Sequence, residues 1–172
     1  MRGPWRYFDL SSRTCERFTD RARLVLALAD EFAIEQRSLE ISPEHILRGL
    51  ACGGQGVGRA ALEDLGVDLI QLLPKLLALL PPHAARPLPS MDELRASDPT
   101  KIFPLRELGP GAEACLVAAR KAAAEMGHNY VGTEHLLLGL LGHPSPAADF
   151  LKKHGATNES ARGAVTRLLY GN

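Results

Sequence analysis

The sequence predicts an all-α fold made of two similar helical units, and two observations carry that expectation. The first is a repeat. Glu44-His45-Ile46-Leu47-Arg48-Gly49-Leu50 returns ninety positions later as Glu134-His135-Leu136-Leu137-Leu138-Gly139-Leu140, and at the same offset Ala22, Val25, Leu26, Ala29 and Ala33 correspond to Ala112, Cys115, Leu116, Ala119 and Ala123. A duplication of that length with no catalytic signature in either copy reads as two helical units docked together, a binding module more than an enzyme. The second is composition: aromatics are 5% of the chain, Ala and Leu are abundant, and no alternating strand pattern occurs. Ala and Leu lose little conformational freedom in a helix.

Each element follows from local signals. Helix 1 is expected from Thr19, whose hydroxyl can cap the first turn, to about Gln36. Its residues Ala22, Val25, Leu26, Ala29 and Ala33 form one buried stripe at helical spacing. Ser42-Pro43 reads as N-cap and first helical residue, starting helix 2, which runs to about Ala51. Helix 3 spans about Val57 to Leu65, with Gly66 placed to end it in a left-handed conformation. Helix 4 follows Asp68, with Leu69, Leu72, Leu73, Leu76, Leu77 and Leu80 as its apolar face. Pro74 inside that pattern predicts a kink or a later start.

The second unit replays the first. Helix 5 is expected over Pro110 to Met126 with a stop at Gly127, and helix 6 over Thr133 to Leu141. Helix 7 runs from Ser145-Pro146 to a point before Gly155, and helix 8 over Asn158 to Tyr170. The chain therefore divides into a leader at 1–17 containing Trp5, Tyr7 and Phe8, a first unit at 18–80, a linker at 81–108 and a second unit at 109–172. The linker is marked by Pro81, Pro82, Pro87, Pro89, Pro99 and Pro104, a density that cannot continue a helix. Within it Met91 to Ala96 has the composition for one helical turn.

Composition also excludes functions. A chain of 172 residues with 45% apolar residues is ordinary for a folded protein. Twenty basic residues balance twenty acidic ones, so no global field draws it to nucleic acid or to an anionic membrane. Leu69 to Leu80, interrupted by Gln71, Pro74 and Lys75, is too short to span a bilayer. Cys15, Cys52 and Cys115 are odd in number and widely spaced, which reads as reduced thiols in a cytoplasmic protein, with Cys115 buried. Arg2 and Arg6 are followed by no continuous apolar segment, so no secretory signal is expected.

Four chemical readings of the motifs compete. Zinc binding on a helix needs two ligands one turn apart. Glu44-His45 and Glu134-His135 are adjacent pairs without a histidine four residues on, so no metal or other cofactor is expected. A helical metal protein or enzyme using these Glu and His residues is the alternative reading. Gly53-Gly54-Gln55-Gly56-Val57-Gly58-Arg59 imitates a phosphate loop, but Arg59 and Ala60 stand where Lys and Ser/Thr belong, and the segment follows a helix. It reads as a turn. Six histidines and three cysteines supply no recognisable nucleophile turn, so no catalytic residue is assigned. A first-turn carboxylate at Glu44 and Glu134 favours the helix dipole by about 0.3–1 kcal/mol. Beside free amides it can also meet a ligand that carries both signs.

Residues Phe18-Thr19-Asp20-Arg21-Ala22-Arg23, Glu44-His45-Ile46-Leu47, Ala61-Leu62 and Leu65-Gly66-Val67 resemble the first repeat of the Clp N-terminal domain family. Gly127-His128-Asn129-Tyr130-Val131-Gly132-Thr133-Glu134-His135-Leu136-Leu137-Leu138-Gly139-Leu140 resembles its second repeat. The resemblance covers about Phe18 to Leu169. It implies two pseudo-twofold-related four-helix repeats and a non-catalytic module whose partners are proteins: substrates, adaptors, or Clp ATPase and protease components. In some bacteria such domains also recognise phosphoarginine through the Glu of each Thr-Glu-His. By that resemblance Glu134, Glu44 and Thr133 are the ligand residues. The chain departs from the family pattern at Arg37-Ser38, where Gly-His is usual, and at Pro43, where Thr is usual. His143-Pro144-Ser145-Pro146 replaces a charged turn and the linker is longer. No Walker motif is present, so a stand-alone domain without the ATPase modules is expected.

Overall fold

A computed structural model describes residues 18–53, 55–78 and 106–171. The leader aromatics Trp5, Tyr7 and Phe8, the thiol of Cys15, Leu80 and the turn expected at Met91 to Ala96 lie outside the described residues. Among the described residues eight helices occur, in the order α1 Asp20–Glu35, α2 Pro43–Cys52, α3 Val57–Asp64, α4 Leu69–Leu77, α5 Pro110–Glu125, α6 Thr133–Gly142, α7 Pro146–Lys153 and α8 Asn158–Tyr170. Among the described residues there is no strand beyond two isolated bridges. The protein is all-α, and its helices stand where the periodicity puts them.

The ends are set by local chemistry. The Thr19 hydroxyl accepts the Ala22 amide at 3.2 Å, the Ser145 hydroxyl accepts that of Ala148 at 3.1 Å, and Asp68 accepts those of Ile70 and Gln71. Because Asp68 caps so well, α4 begins at once at Leu69 and carries Pro74 inside it, so the later start is not what forms. Its apolar face is narrower than expected. Leu69 and Leu76 are buried, Leu72 and Leu73 are partly buried against the core, and Leu77 is 40% exposed.

The stripe of α1 is buried at all five expected positions, and so is its counterpart on α5. The glycine of the repeated motif explains the tightness of that packing. A Cβ on Gly49 would lie 2.4 Å from the carbonyl oxygen of Val25, and one on Gly139 would lie 2.3 Å from that of Cys115. These positions are related by the same ninety-residue offset, so one helix contact has been built twice.

The repeats are joined by exchanged contacts. Phe18 bridges to Val131 and Ile41 bridges to Leu108, and the two bridges are one contact with the repeats exchanged, since Phe18 corresponds to Leu108 and Ile41 to Val131 at the ninety-residue offset. The Thr19 amide donates to the Val131 carbonyl at 2.9 Å, and the Gly109 amide donates to that of Ile41 at 2.8 Å. Helix α3 packs on α6 and α8 of the second repeat, while α2 packs on α5 and α7. The buried apolar residues of both repeats form one continuous core.

Candidate functional site

The site residues sit at the starts of α2 and α6, where each repeat meets the other. In both copies the motif histidine fixes its own helix end. Nδ1 of His45 accepts the Ser42 amide, and Nδ1 of His135 accepts the Gly132 amide, each at 2.9 Å. This is the returning half of a capping box with imidazole in place of Glu or Gln. A neutral ring that accepts at Nδ1 carries its proton on Nε2. In the first copy that proton points to Oε1 of Gln36 at 3.0 Å.

In the second copy it points to Nδ1 of His128 at 2.9 Å, and Nε2 of His128 in turn meets the Tyr170 hydroxyl at 2.6 Å. Tyr130 stacks on His128 with ring centres 4.9 Å apart. Burial first, then the His128 and Arg162 charges, push His135 down to about 4, so it is neutral at physiological pH.

The two carboxylates are both buried, at 4% exposure each, but they do different things. Glu44 reaches across to the second repeat, where Oε1 accepts the Ala147 amide at 3.1 Å. Ala147 is the second residue of α7, so Glu44 satisfies an amide that a helix start leaves without an intrahelical partner. It also adds to the burial that pushes the Cys115 thiol up to about 12.

The matching amide in the other direction belongs to Gly58, the second residue of α3. It donates to the Thr133 hydroxyl at 3.1 Å, not to Glu134. Gly56 and Gly58 make room for this approach, since Cβ atoms there would meet Thr133 at 2.7 and 2.4 Å. The segment from Gly56 is thus the turn into α3, and Gly56 and Gly58 answer to Thr133.

Relieved of the cross-repeat contact, Glu134 folds back over its own helix start. A Cβ on Gly132 would fall 2.4 Å from its Oε1. Burial raises its pKa, outweighing its own backbone amide and the His128 ring, which both favour the charged form. Oε1 lies 3.5 Å from Nδ1 of His135, but that nitrogen presents a lone pair to the carboxylate and not a proton. Glu134 is therefore a buried carboxylate whose charge the described residues leave poorly compensated.

His128, Glu134 and His135 bring one ligand atom each within 4.8 Å of one another, a cluster that adjacent-pair spacing did not foresee. Its signal was His128, seven residues upstream. The hydrogen bonds oppose metal binding there. Nδ1 of His135 is committed to Gly132, and Nε2 carries the proton, so the ring has no lone pair to give unless the helix cap breaks.

Sequence reasoning also missed Asp30, which is buried on α1. It accepts the Arg106 amide at 2.9 Å, and Arg106 donates in turn to the Ser38 carbonyl. Burial raises the Asp30 pKa. Ser38 and Arg37 stand where the second copy has His128 and Gly127. Arg37 holds the left-handed conformation, φ 54°, that Gly127 holds at 73°.

These features define a class: an all-helical tandem repeat whose halves cap each other's helices and whose second half keeps one carboxylate back. The Clp repeat (R) N-terminal domain family matches residues 17–101 and 108–170, and the chain belongs to that family. It is 33% identical over 157 residues to the chaperone protein ClpB of Oceanobacillus iheyensis, and the match covers 91% of this chain and 17% of that protein. The negative regulator of genetic competence ClpC/MecB of Bacillus subtilis is likewise 33% identical, with the same coverage of 91% and 17%. The chain therefore spans about a sixth of the length of these relatives. Among solved structures, the N-terminal domain of ClpD from Arabidopsis thaliana superposes with a TM-score of 0.65 at 18% identity, covering 93% of this chain and 99% of that one. No helix among the described residues is long and apolar enough to cross a membrane.

Proposed function

We infer that this protein is a non-catalytic binding module that recruits proteins to Clp machinery. Its occupants are substrate segments, adaptors or Clp components, and Glu134 takes the guanidinium of an arginine or phosphoarginine side chain. The observation that carries the reading is Glu134 itself. A carboxylate held at 4% exposure costs free energy unless it is paired, and a guanidinium supplies the planar, permanently charged fork that matches it. The positive end of the α6 dipole favours an anion beside that cation, which suits a phosphorylated arginine better than a plain one. Thr133 keeps its hydroxyl proton for such a group while its oxygen accepts Gly58.

Glu44 is the weaker candidate because its carboxylate already serves Ala147. Calorimetric titration of phosphoarginine and arginine into the wild type and Glu134→Ala tests the assignment. Binding of phosphoarginine by the wild type that the variant loses is the expected result. Equal, negligible heats in every case remove the ligand. A pull-down that recovers no Clp component and no reproducible protein partner counts against the module itself.

A further inference from the structure

The geometry points to residues 132 and 133 as the determinants that make Glu134 available to a ligand, and to residues 42 and 43 as the pair that denies Glu44 the same pose. This rests on the ligand reading above and assigns one cation site to the protein where the repeat implies two. The two helix starts face the same demand, a buried amide two residues into the third helix of the opposite repeat. The second repeat meets it with the Thr133 hydroxyl at 3.1 Å. The first repeat has Pro43, which offers no hydroxyl, and meets the demand with the Glu44 carboxylate at 3.1 Å.

The preceding residue adds a second, independent constraint. Glu134 folds back into space that a Cβ at position 132 would occupy, with both carboxylate oxygens within 2.5 Å of it. The first repeat has Ser42 there, whose Cβ fills that space and turns Glu44 outward to Ala147. Thr133 thus positions Glu134 in addition to offering its own hydroxyl proton, and Gly132 is permissive.

Calorimetry with phosphoarginine and thermal melts of the full chain test this together. The wild type binds one equivalent. Ser42→Gly with Pro43→Thr binds a second, and adding Glu44→Gln removes it again. Thr133→Val draws Glu134 onto the Gly58 amide and weakens binding at least tenfold, whereas Thr133→Ser retains it. Gly132→Ala displaces the carboxylate and weakens binding without lowering the melting midpoint. Glu44→Ala lowers that midpoint, and Pro43→Thr in the same background restores it, because the new hydroxyl takes over Ala147.

A double variant that still binds one equivalent, or a Pro43→Thr/Glu44→Ala protein no more stable than Glu44→Ala, overturns the inference while leaving Glu134-dependent binding intact. If no protein binds phosphoarginine, the ligand assignment fails. The melting rescue then decides the cap exchange alone, supporting it when present and overturning it when absent.

Discussion

At the scale of single residues, the protein places strained and buried polar groups at its helix ends, and each has a measurable consequence. Glu134 is held in a site that raises its pKa by burial, so its charge opposes folding at neutral pH. Glu134→Gln is expected to leave chemical stability unchanged or raise it by up to about 1 kcal/mol, while ligand binding is lost. Urea denaturation alongside calorimetry checks both halves.

Arg37 sits at φ 54°, where a side chain costs roughly 1–2 kcal/mol that glycine avoids, less glycine's own entropic cost. Arg37→Gly should therefore raise stability by about 0.5–1 kcal/mol, read from the same denaturation curves.

His135 supplies a pH dependence with a definite sign. The folded protein takes up its proton near 4, while the ordinary imidazole value is 6.5. Between those values the unfolded chain binds more protons, so this group's contribution to stability falls as pH drops through that window. Glu134 acts in the opposite sense, since its folded carboxyl holds its proton to higher pH than the ordinary 4.5. Imidazole carbon and nitrogen shifts should show His135 neutral at pH 5.5, with the proton on Nε2. A charged ring at that pH contradicts the cap.

At the scale of elements, the repeated Glu-His-x-Leu-x-Gly-Leu separates into a packing half and a site half. Its glycines let α2 and α6 lie against backbone carbonyls of α1 and α5. Because the obstructing atoms are main chain, Gly49→Ala and Gly139→Ala should each cost about 1–3 kcal/mol, far more than alanine at an exposed helical position.

The helices themselves were legible because their signals are local: a stripe on α1, Asp68 before α4, and Ser145-Pro146 before α7. Gly66 and Gly127 stop their helices through conformations that few other residues adopt, φ 76° and 73°. Arg37 was not legible as a left-handed position, since nothing in its neighbourhood names that conformation. Pro74 was misleading in one respect, because the Asp68 cap and the burial of Leu69 and Leu76 together hold α4 with a proline inside it.

At the scale of the whole molecule, the repeats are two halves of one structure. Each half supplies a bridge, a helix-capping group and part of a common core to the other. Unfolding should accordingly be a single transition by every probe, as expected of one cooperative unit. Two separated transitions in a melt followed at Tyr170 and at a label on Cys52 contradict that coupling.

The candidate site was half legible in the sequence. Glu134, Glu44 and Thr133 follow from the repeated motif and its family resemblance. The allocation of roles among them depends on contacts across seventy-five residues from Gly58 to Thr133 and one hundred and three from Glu44 to Ala147, which no local pattern encodes. The same holds for Asp30 and Arg106.

On the proposed function, the start of α6 receives a cationic, phosphorylated side chain. Amide chemical-shift mapping with a phosphoarginine peptide tests it most directly. Saturable shifts are expected, centred on Gly132, Thr133, Glu134 and His135, extending to His128 and Tyr130 and absent in Glu134→Gln. Shifts that centre on the start of α2, or that persist in Glu134→Gln, contradict it.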